Sequence, residues 1–408
     1  MKTVGIIAEY NPFHNGHLYH IREAKRLTNA DYVVLVMSGN FVQRGTPAIL
    51  DKYSRTQMAL SCGADLVFEL PVQYATATAE LFAHGAVALL NSLGFVDYLC
   101  FGSEYTTLRD YEILADLLES PPKEYQELLI KFQKQSFSYP VARTKVLQAY
   151  YKNKNMDILP FLSQPNTILG IAYMQALLRL KSNIIPVIVK RQGSNYHSLS
   201  LNGSIASASG IRNAYQEQSS LLDLSDYIPT PAFSILQKQE HKTFPVEADD
   251  FSSLLYYKLS SHPSREKFSD ISKDFWNRIY KSYDYCSSFT GLCDTIKSKN
   301  LVYTSVCRNL LHILLDTSVP DKMVPPGYLR LLGFRKEASH LLNSGRQASI
   351  QPNLPIITKV ADAKNILPPE SYQLFEEDIH ATHLYHHICH QKFGYSMKTE
   401  YLQGPVIL

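Results

Sequence analysis

The chain has 408 residues, too many for one ordinary core, and that length favours roughly two to three domains, of which we expect two. Hydrophobic residues make up 45% and charged residues 19%, a balance that excludes a disordered or fibrous chain. The formal net charge of +3 excludes a general basic field for nucleic acid, so any such contact rests on local clusters of Lys and Arg.

Short apolar runs alternate with longer mixed segments from the start, the pattern of parallel strands joined by crossover helices. Residues 4–8 read as a strand, 16–27 as a helix, 32–37 as a strand, 38–45 as a loop, 53–61 as a helix and 66–70 as a strand. A helix over 79–93 ends at Gly94, a strand covers 96–101, and a helical insertion, broken at Pro121-Pro122, spans about 106–160. The α/β pattern resumes with a helix at 167–179, a strand at 184–189 and a helix starting near Ser209. Beyond about residue 225 strand-like runs become rare and Pro229, Pro231 and Pro245 punctuate the chain. The expected organisation is a Rossmann-like α/β domain with a parallel sheet over 1–230 and a mainly α-helical domain over 231–408, with a loop through Val324 to Gly327.

Six cysteines occur without a CxxC pair, which speaks against a zinc ribbon or a disulfide framework and fits a reducing compartment. The apolar stretch at residues 4–8 is too brief for a signal peptide, and no apolar run approaches the ~20 residues of a membrane span. A cytoplasmic protein is expected. The 27 tyrosines suit base stacking and ordinary cores alike.

The strongest chemical signal is Glu9-Tyr10-Asn11-Pro12-Phe13-His14-Asn15-Gly16-His17, where the first strand gives way to the first helix. In an open parallel sheet ligands bind beyond the carboxyl ends of strands, and a helix amino terminus offers free N–H groups to an anion. Three residues apart, His14 and His17 face the same side of one helical turn, and Gly16 removes a side chain where a phosphate would approach. Imidazoles so placed donate hydrogen bonds to charge developing on a phosphate under attack. Capping or surface histidines would share this spacing, but the coincidence of the strand, Pro12, Gly16 and first-element position favours the catalytic reading. A metal site is disfavoured by the lack of nearby Cys or further His ligands. Ser207-Ala208-Ser209-Gly210-Ile211-Arg212 is a second candidate, a helix start at which Ser209 and Arg212 can hold distal phosphates.

An amino-terminal HxGH followed by this later serine-arginine segment resembles the nucleotidyltransferase superfamily. More narrowly, the chain resembles the bacterial tRNA(Met) cytidine acetate ligases, through GIIAEYNPFHNGH at 5–17, MSGNFVQRGTPA at 37–48, FGSE at 101–104, QPNTILGIAY at 164–173, VKRQGSNYH at 189–197 and PPGYLRLLGF at 325–334. The resemblance implies ATP-dependent activation of acetate to acetyl-adenylate, then acetylation of the wobble cytidine of elongator tRNA(Met) at N4. It implies ATP contacts at Ile7, Ala8, Glu9, Tyr10, Asn11, Pro12, Phe13, His14, Asn15, Gly16, His17 and His20, and at Gly102, Asn166 and Arg191, with His14, His17, Ser209 and Arg212 in catalysis. Ser209-Gly210 departs from the threonine and larger residue expected in that turn, although the hydroxyl survives. Mg2+ is expected with ATP, no resident metal ligands are identified, and neither a membrane nor an obligate protein partner is implied.

Three further groups carry expectations. Arg44, Lys52 and Arg55 are candidate contacts for the triphosphate or the anticodon loop, and a solvated face explains them as well. His380, His383, His386, His387 and His390 with Cys389 have helical spacing that would permit a metal, though a partly exposed helix face explains them equally. Arg330, Arg335, Lys336 and Arg346 are candidates for the tRNA surface, with intramolecular ion pairs and solvated charge as the alternative. The rival functions are a small-molecule adenylyltransferase acting on a phosphorylated cofactor precursor, and a non-catalytic nucleotide- or RNA-binding protein.

Overall fold

The computed structural model describes residues 1–135, 139–151, 164–192, 205–218, 220–298, 301–320, 322–344 and 354–408. Strand β1 (Thr3–Ala8), helix α1 (Asn15–Thr28) and strand β2 (Tyr32–Ser38) open the chain. The two strands pair in parallel with Ile6 opposite Leu35. Along β2, Val34 and Val36 bury into one core while Val33, Leu35 and Met37 bury into another. A strand covered on both faces loses the polar alternation of a half-exposed one, which is why this segment reads as a continuous apolar run.

The expected loop at 38–45 contains a small antiparallel hairpin, β3 (Phe41–Val42) and β4 (Thr46–Pro47). Next come α2 (Lys52–Ser61), β5 (Leu66–Leu70), α3 (Ala79–Ser92) and β6 (Tyr98–Ser103). Asp51 starts α2 by accepting the backbone N–H groups of Tyr53 and Ser54, each at 2.9 Å. The helical insertion consists of α4 (Leu108–Glu119), α5 (Lys123–Lys134) and α6 (Tyr139–Tyr151), and the break between the first two falls at Pro121-Pro122. The rest of that expected segment, residues 152–160, lies outside the described residues. Then follow α7 (Pro165–Arg179), β7 (Ile185–Lys190) and α8 (Ala208–Gln218).

Beyond the texture change near residue 225 come α9 (Thr230–Gln239), α10 (Ser252–Ser260), α11 (Lys273–Ser282), α12 (Phe289–Ile296) and α13 (Tyr303–Leu315). They build a third core around Phe268, Phe275, Ile279, Leu310 and Ile313, which also takes in Phe41 of β3. The chain then returns to the sheet as β8 (Leu329–Phe334), flanked by β9 (Ile356–Ile357), the long α14 (Pro369–Phe393) and β10 (Val406–Ile407). The sheet order is β10-β8-β5-β2-β1-β6-β7, with β9 also on β8, and β8 runs antiparallel to β5 with Glu69 opposite Arg330. The change in texture near 230 therefore does not divide the sheet. A six-residue run after a proline-rich loop carries too little periodicity to declare itself a sheet strand.

Candidate active site

The carboxyl end of β1 leads into a backbone clamped from several sides. Arg55, fully buried, donates to the carbonyls of Glu9 at 2.6 Å and Ser38 at 3.0 Å, and Arg212 donates to the carbonyl of Asn11 at 2.6 Å. Asn11 accepts the Ile49 N–H at 2.7 Å, and the Asn11-Pro12 peptide is cis. Tyr10 holds a left-handed φ of 50°, a conformation that typically costs about 1–3 kcal/mol and persists only where surroundings enforce it. Here its ring packs against Phe13 and His17, with centroids 4.8 and 4.6 Å apart.

His14 is the N-cap of α1. Its Nδ1 accepts the Gly16 N–H at 3.0 Å, while the Nδ1 of His17 accepts the His14 N–H at 3.3 Å, a reciprocal capping arrangement built from two imidazoles. The rings stack with centroids 3.7 Å apart. Because both Nδ1 atoms accept, the neutral rings carry their proton on Nε2, which makes each a hydrogen-bond donor. Burial, with the charges of Arg191 and Arg212, pushes His14 down to about 3; burial and then Arg191 pushes His20 down to about 4. His17 is also held well below the usual range, first by burial and then by His14. Gly16 serves this ring geometry: a Cβ there would fall 2.8 Å from His14 Cε1. The absent side chain thus makes room for the His14 ring, and Gly16 also lines the cleft.

The opposite wall comes from β6, α7, β7 and α8. Glu104, just past β6, accepts from Asn166 Nδ2 at 2.6 Å and faces Arg191 Nε at 3.4 Å, so one carboxylate orients both. Ser207 caps α8 by accepting the Gly210 N–H at 3.0 Å, which places Ser209 inside the first turn, where its hydroxyl accepts from Arg212 Nη2 at 3.2 Å. One cleft is lined by Ile7, Ala8, Glu9, Tyr10, Asn11, His14, Gly16, His17 and His20 together with Gly102, Asn166, Arg191, Ser209 and Arg212. Pro12, Phe13 and Asn15 do not line it. Phe13 is buried in the core, and Asn15 ties α1 to the chain before α9 through the carbonyls of Asp226 at 2.8 Å and Tyr227 at 2.9 Å.

Several lining residues escaped the sequence reading, among them Tyr19, Gln43, Phe82, Tyr173 and Gln192. Glu104 does not line the cleft, but FGSE after a strand was a signal for it. Arg44 does line the cleft, whereas Lys52 and Arg55 do not. Lys52 is wholly buried, with its ammonium 2.9 Å from both Glu69 carboxylate oxygens, 3.1 Å from Glu400 and 3.0 Å from the Thr382 hydroxyl. Burial opposes its charge, but Glu400 and Glu69 overcome that and raise its pKa. Neither residue can meet a triphosphate or an anticodon loop, because both are consumed by internal partners.

The cluster considered for tRNA does not assemble either. Arg330 is 1% exposed and faces Glu400 at 4.0 Å. Since Phe334 pairs with Leu66 at the amino end of β5, Arg335 and Lys336 follow at the end of the strands opposite the cleft. Arg346 lies outside the described residues. On α14, Cys389 is in the core, His383 and His386 are half-buried with ring centroids 6.5 Å apart, and His380, His387 and His390 are exposed. Among the described residues, no group of three or more His, Cys, Asp or Glu side chains is placed to hold a metal ion, and no helix is long and apolar enough to cross a membrane.

Comparison with known proteins agrees with this geometry. Residues 1–400 match the model of the HIGH Nucleotidyl Transferase family. The chain is 42% identical over 388 residues to the tRNA(Met) cytidine acetate ligase of Thermoanaerobacter sp. (strain X514), covering 94% of this chain and 95% of that one. It is 37% identical over 392 residues to the ligase of the same name from Clostridium novyi, at 94% and 95% coverage. Crystal structures of Thermotoga maritima TmcAL superpose over 100% of both chains at 29% identity, with a TM-score of 0.93 for the apo protein and 0.90 for the protein bound with alpha-thio ATP. A match of this extent, in sequence and in fold, shows that the chain belongs to the HIGH nucleotidyltransferases and, among them, to the tRNA(Met) cytidine acetate ligase family.

Proposed function

We propose that this protein activates acetate with ATP and transfers the acetyl group to N4 of the wobble cytidine of elongator tRNA(Met). A carboxylate oxygen of acetate attacks the α-phosphorus of ATP, the bond to the bridging oxygen breaks, and pyrophosphate leaves with the electron pair. Cytidine N4 then attacks the acetyl carbon, loses a proton, and AMP departs. The observation that carries the reading is the convergence of His14 and His17, whose Nδ1 atoms both accept backbone N–H groups, with Arg191 and Arg212 in one cleft, in a chain 42% identical to a tRNA(Met) cytidine acetate ligase.

In this scheme His14 and His17 donate to the phosphate oxygens as charge builds, a contribution typically worth about a hundred- to a thousand-fold in rate per donor. Ser209, Arg212 and Arg191 hold the distal phosphates, while Gly102 and Asn166 face the nucleoside end. Arg191 and Arg212 beside neutral histidines give the cleft the charge a triphosphate needs. Magnesium enters as part of the substrate, on the phosphates of ATP. The C-terminal helices contribute to tRNA binding beside the cleft, where α13 meets the β3–β4 hairpin. The reaction is placed in the cytoplasm.

The test is pyrophosphate exchange into ATP with purified protein and a panel of small carboxylates, followed by acetyl transfer to tRNA. Acetate-dependent exchange and acetylation of tRNA(Met) are expected. Exchange only with a phosphorylated cofactor precursor, or none under any condition, would overturn the reading.

A further inference from the structure

Gln43 holds a donor that the fold leaves unused. Its side-chain nitrogen is buried without a hydrogen-bond partner, and the residue lines the cleft beside Arg44. An amide donor withdrawn from water and left unmade is unfavourable by about 1–3 kcal/mol, so its retention in a cleft points to a ligand. The backbone around it is held firmly. The Gln43 N–H donates to Glu9 Oε1 at 2.9 Å, and its carbonyl lies 3.5 Å from Arg308 Nη1 on α13. Gly45, at φ +78°, approaches α13 so closely that a Cβ would fall 2.3 Å from the Arg308 backbone nitrogen.

The sheet order says which ligand. Gly102, Asn166, Arg191, Ser209 and Arg212 come from β6, β7 and their adjoining helices, all on one side of β1. Gln43 and Arg44 come from the hairpin after β2, on the other side, with His14 and His17 at the divide. We infer that Gln43 binds the carboxylate of the second substrate: its amide donates to one carboxylate oxygen, Arg44 supplies the positive charge, and Phe82 of α3 lines the cleft that receives a short acyl chain. This rests on the acetate-activating reading above. A carboxylate only accepts, and the unused atom is a donor with a cation next to it in the chain, the pair that a small carboxylate requires.

The test varies acetate at saturating ATP in the exchange assay for the wild type, Gln43→Leu and Gln43→Glu. The KM for acetate should rise by about 10- to 100-fold in the leucine variant, the range set by loss of a charge-assisted hydrogen bond, and further in the glutamate variant, which repels a carboxylate. The Kd for alpha-thio ATP should move by less than about two-fold in the leucine variant, since Arg191, Ser209 and Arg212 hold the distal phosphates from the other side of β1. Thermal unfolding with the nucleotide bound confirms that each variant is folded. An unchanged acetate KM in both folded variants overturns the subsite, as does a loss of nucleotide affinity in the leucine variant equal to its loss for acetate. An intact acetate KM with lost acetyl transfer to tRNA also overturns it, placing Gln43 against the base. A wild type with no acetate-dependent exchange defeats the acetate-activating reading itself, an outcome distinct from failure of the variants alone.

Discussion

Two polar clusters lie near the carboxyl ends of the central strands, and they use their charges in opposite ways. In the cleft, His14, His17, Arg191 and Arg212 are arranged around open space, and the histidines are kept neutral. Behind β5, Lys52, Glu69, Glu400 and Arg330 turn on one another, with Tyr53 donating to Glu400 at 2.7 Å. Burial raises the Glu69 carboxyl, whereas Lys52 and Arg330 hold Glu400 low against the same burial. The lesson is that a basic residue next to a nucleotide motif has no assigned role until its partner is known. Lys52 and Arg55 share the segment that follows the cleft hairpin, yet one closes an ion network and the other clamps the Glu9 and Ser38 carbonyls.

The sharpest way to break this contrast is to remove one member of each cluster. His17→Ala should lower pyrophosphate exchange by about a hundred- to a thousand-fold, as loss of a transition-state donor does, with the protein still folded. A rate within a few-fold of wild type would remove His17 from the chemistry. Lys52→Met should act on stability instead: stranding buried carboxylates typically costs about 3–5 kcal/mol, read from denaturant unfolding. Unfolding unchanged within about 0.5 kcal/mol would mean that the ion network contributes nothing, a result this packing does not allow.

Smaller effects sharpen the comparison. Gly45→Ala places a Cβ at a left-handed φ against the α13 backbone and should destabilise by more than about 1 kcal/mol while displacing Gln43. Its acetate KM should therefore rise together with the loss in stability, a pairing that separate urea unfolding and exchange assays would detect. The pH dependence is the mildest. His14 and His20 are held below their unfolded value, so stability is fully present above about pH 6.5 and falls as the solution is acidified toward their folded values of about 3 and 4. Each contributes at most about 1.4 kcal/mol per pH unit in that window. A bound triphosphate favours the charged imidazole, so melting temperatures between pH 7 and 5 should fall less steeply with ATP than without it.

Much of the α/β half was legible in the chain itself. The strand at Leu66–Leu70 sits where its apolar run lies, and the break between α4 and α5 falls at Pro121-Pro122 because proline lacks the donor a helix interior needs. The β1–α1 motif was legible for the same local reason: strand, turn and helix start occupy one continuous stretch. β8 was not, because its place beside β5 depends on a strand more than 250 residues earlier. Gln43 was hidden inside a segment that read as a plain loop, since an unpartnered atom can be recognised only once every neighbour is in place.

By itself, then, the sequence determined the order of strands and helices in the amino-terminal half, the histidine pair at a helix start, and the family, all properties of local pattern. Which cations face ligand and which face carboxylates, why Gly16 must be glycine, and how the carboxy-terminal half completes the sheet were decided only by the tertiary structure. The physical reason is that charge, burial and hydrogen-bond satisfaction are properties of neighbours in space, and the neighbours of Lys52 include residues 330 and 348 positions further along the chain.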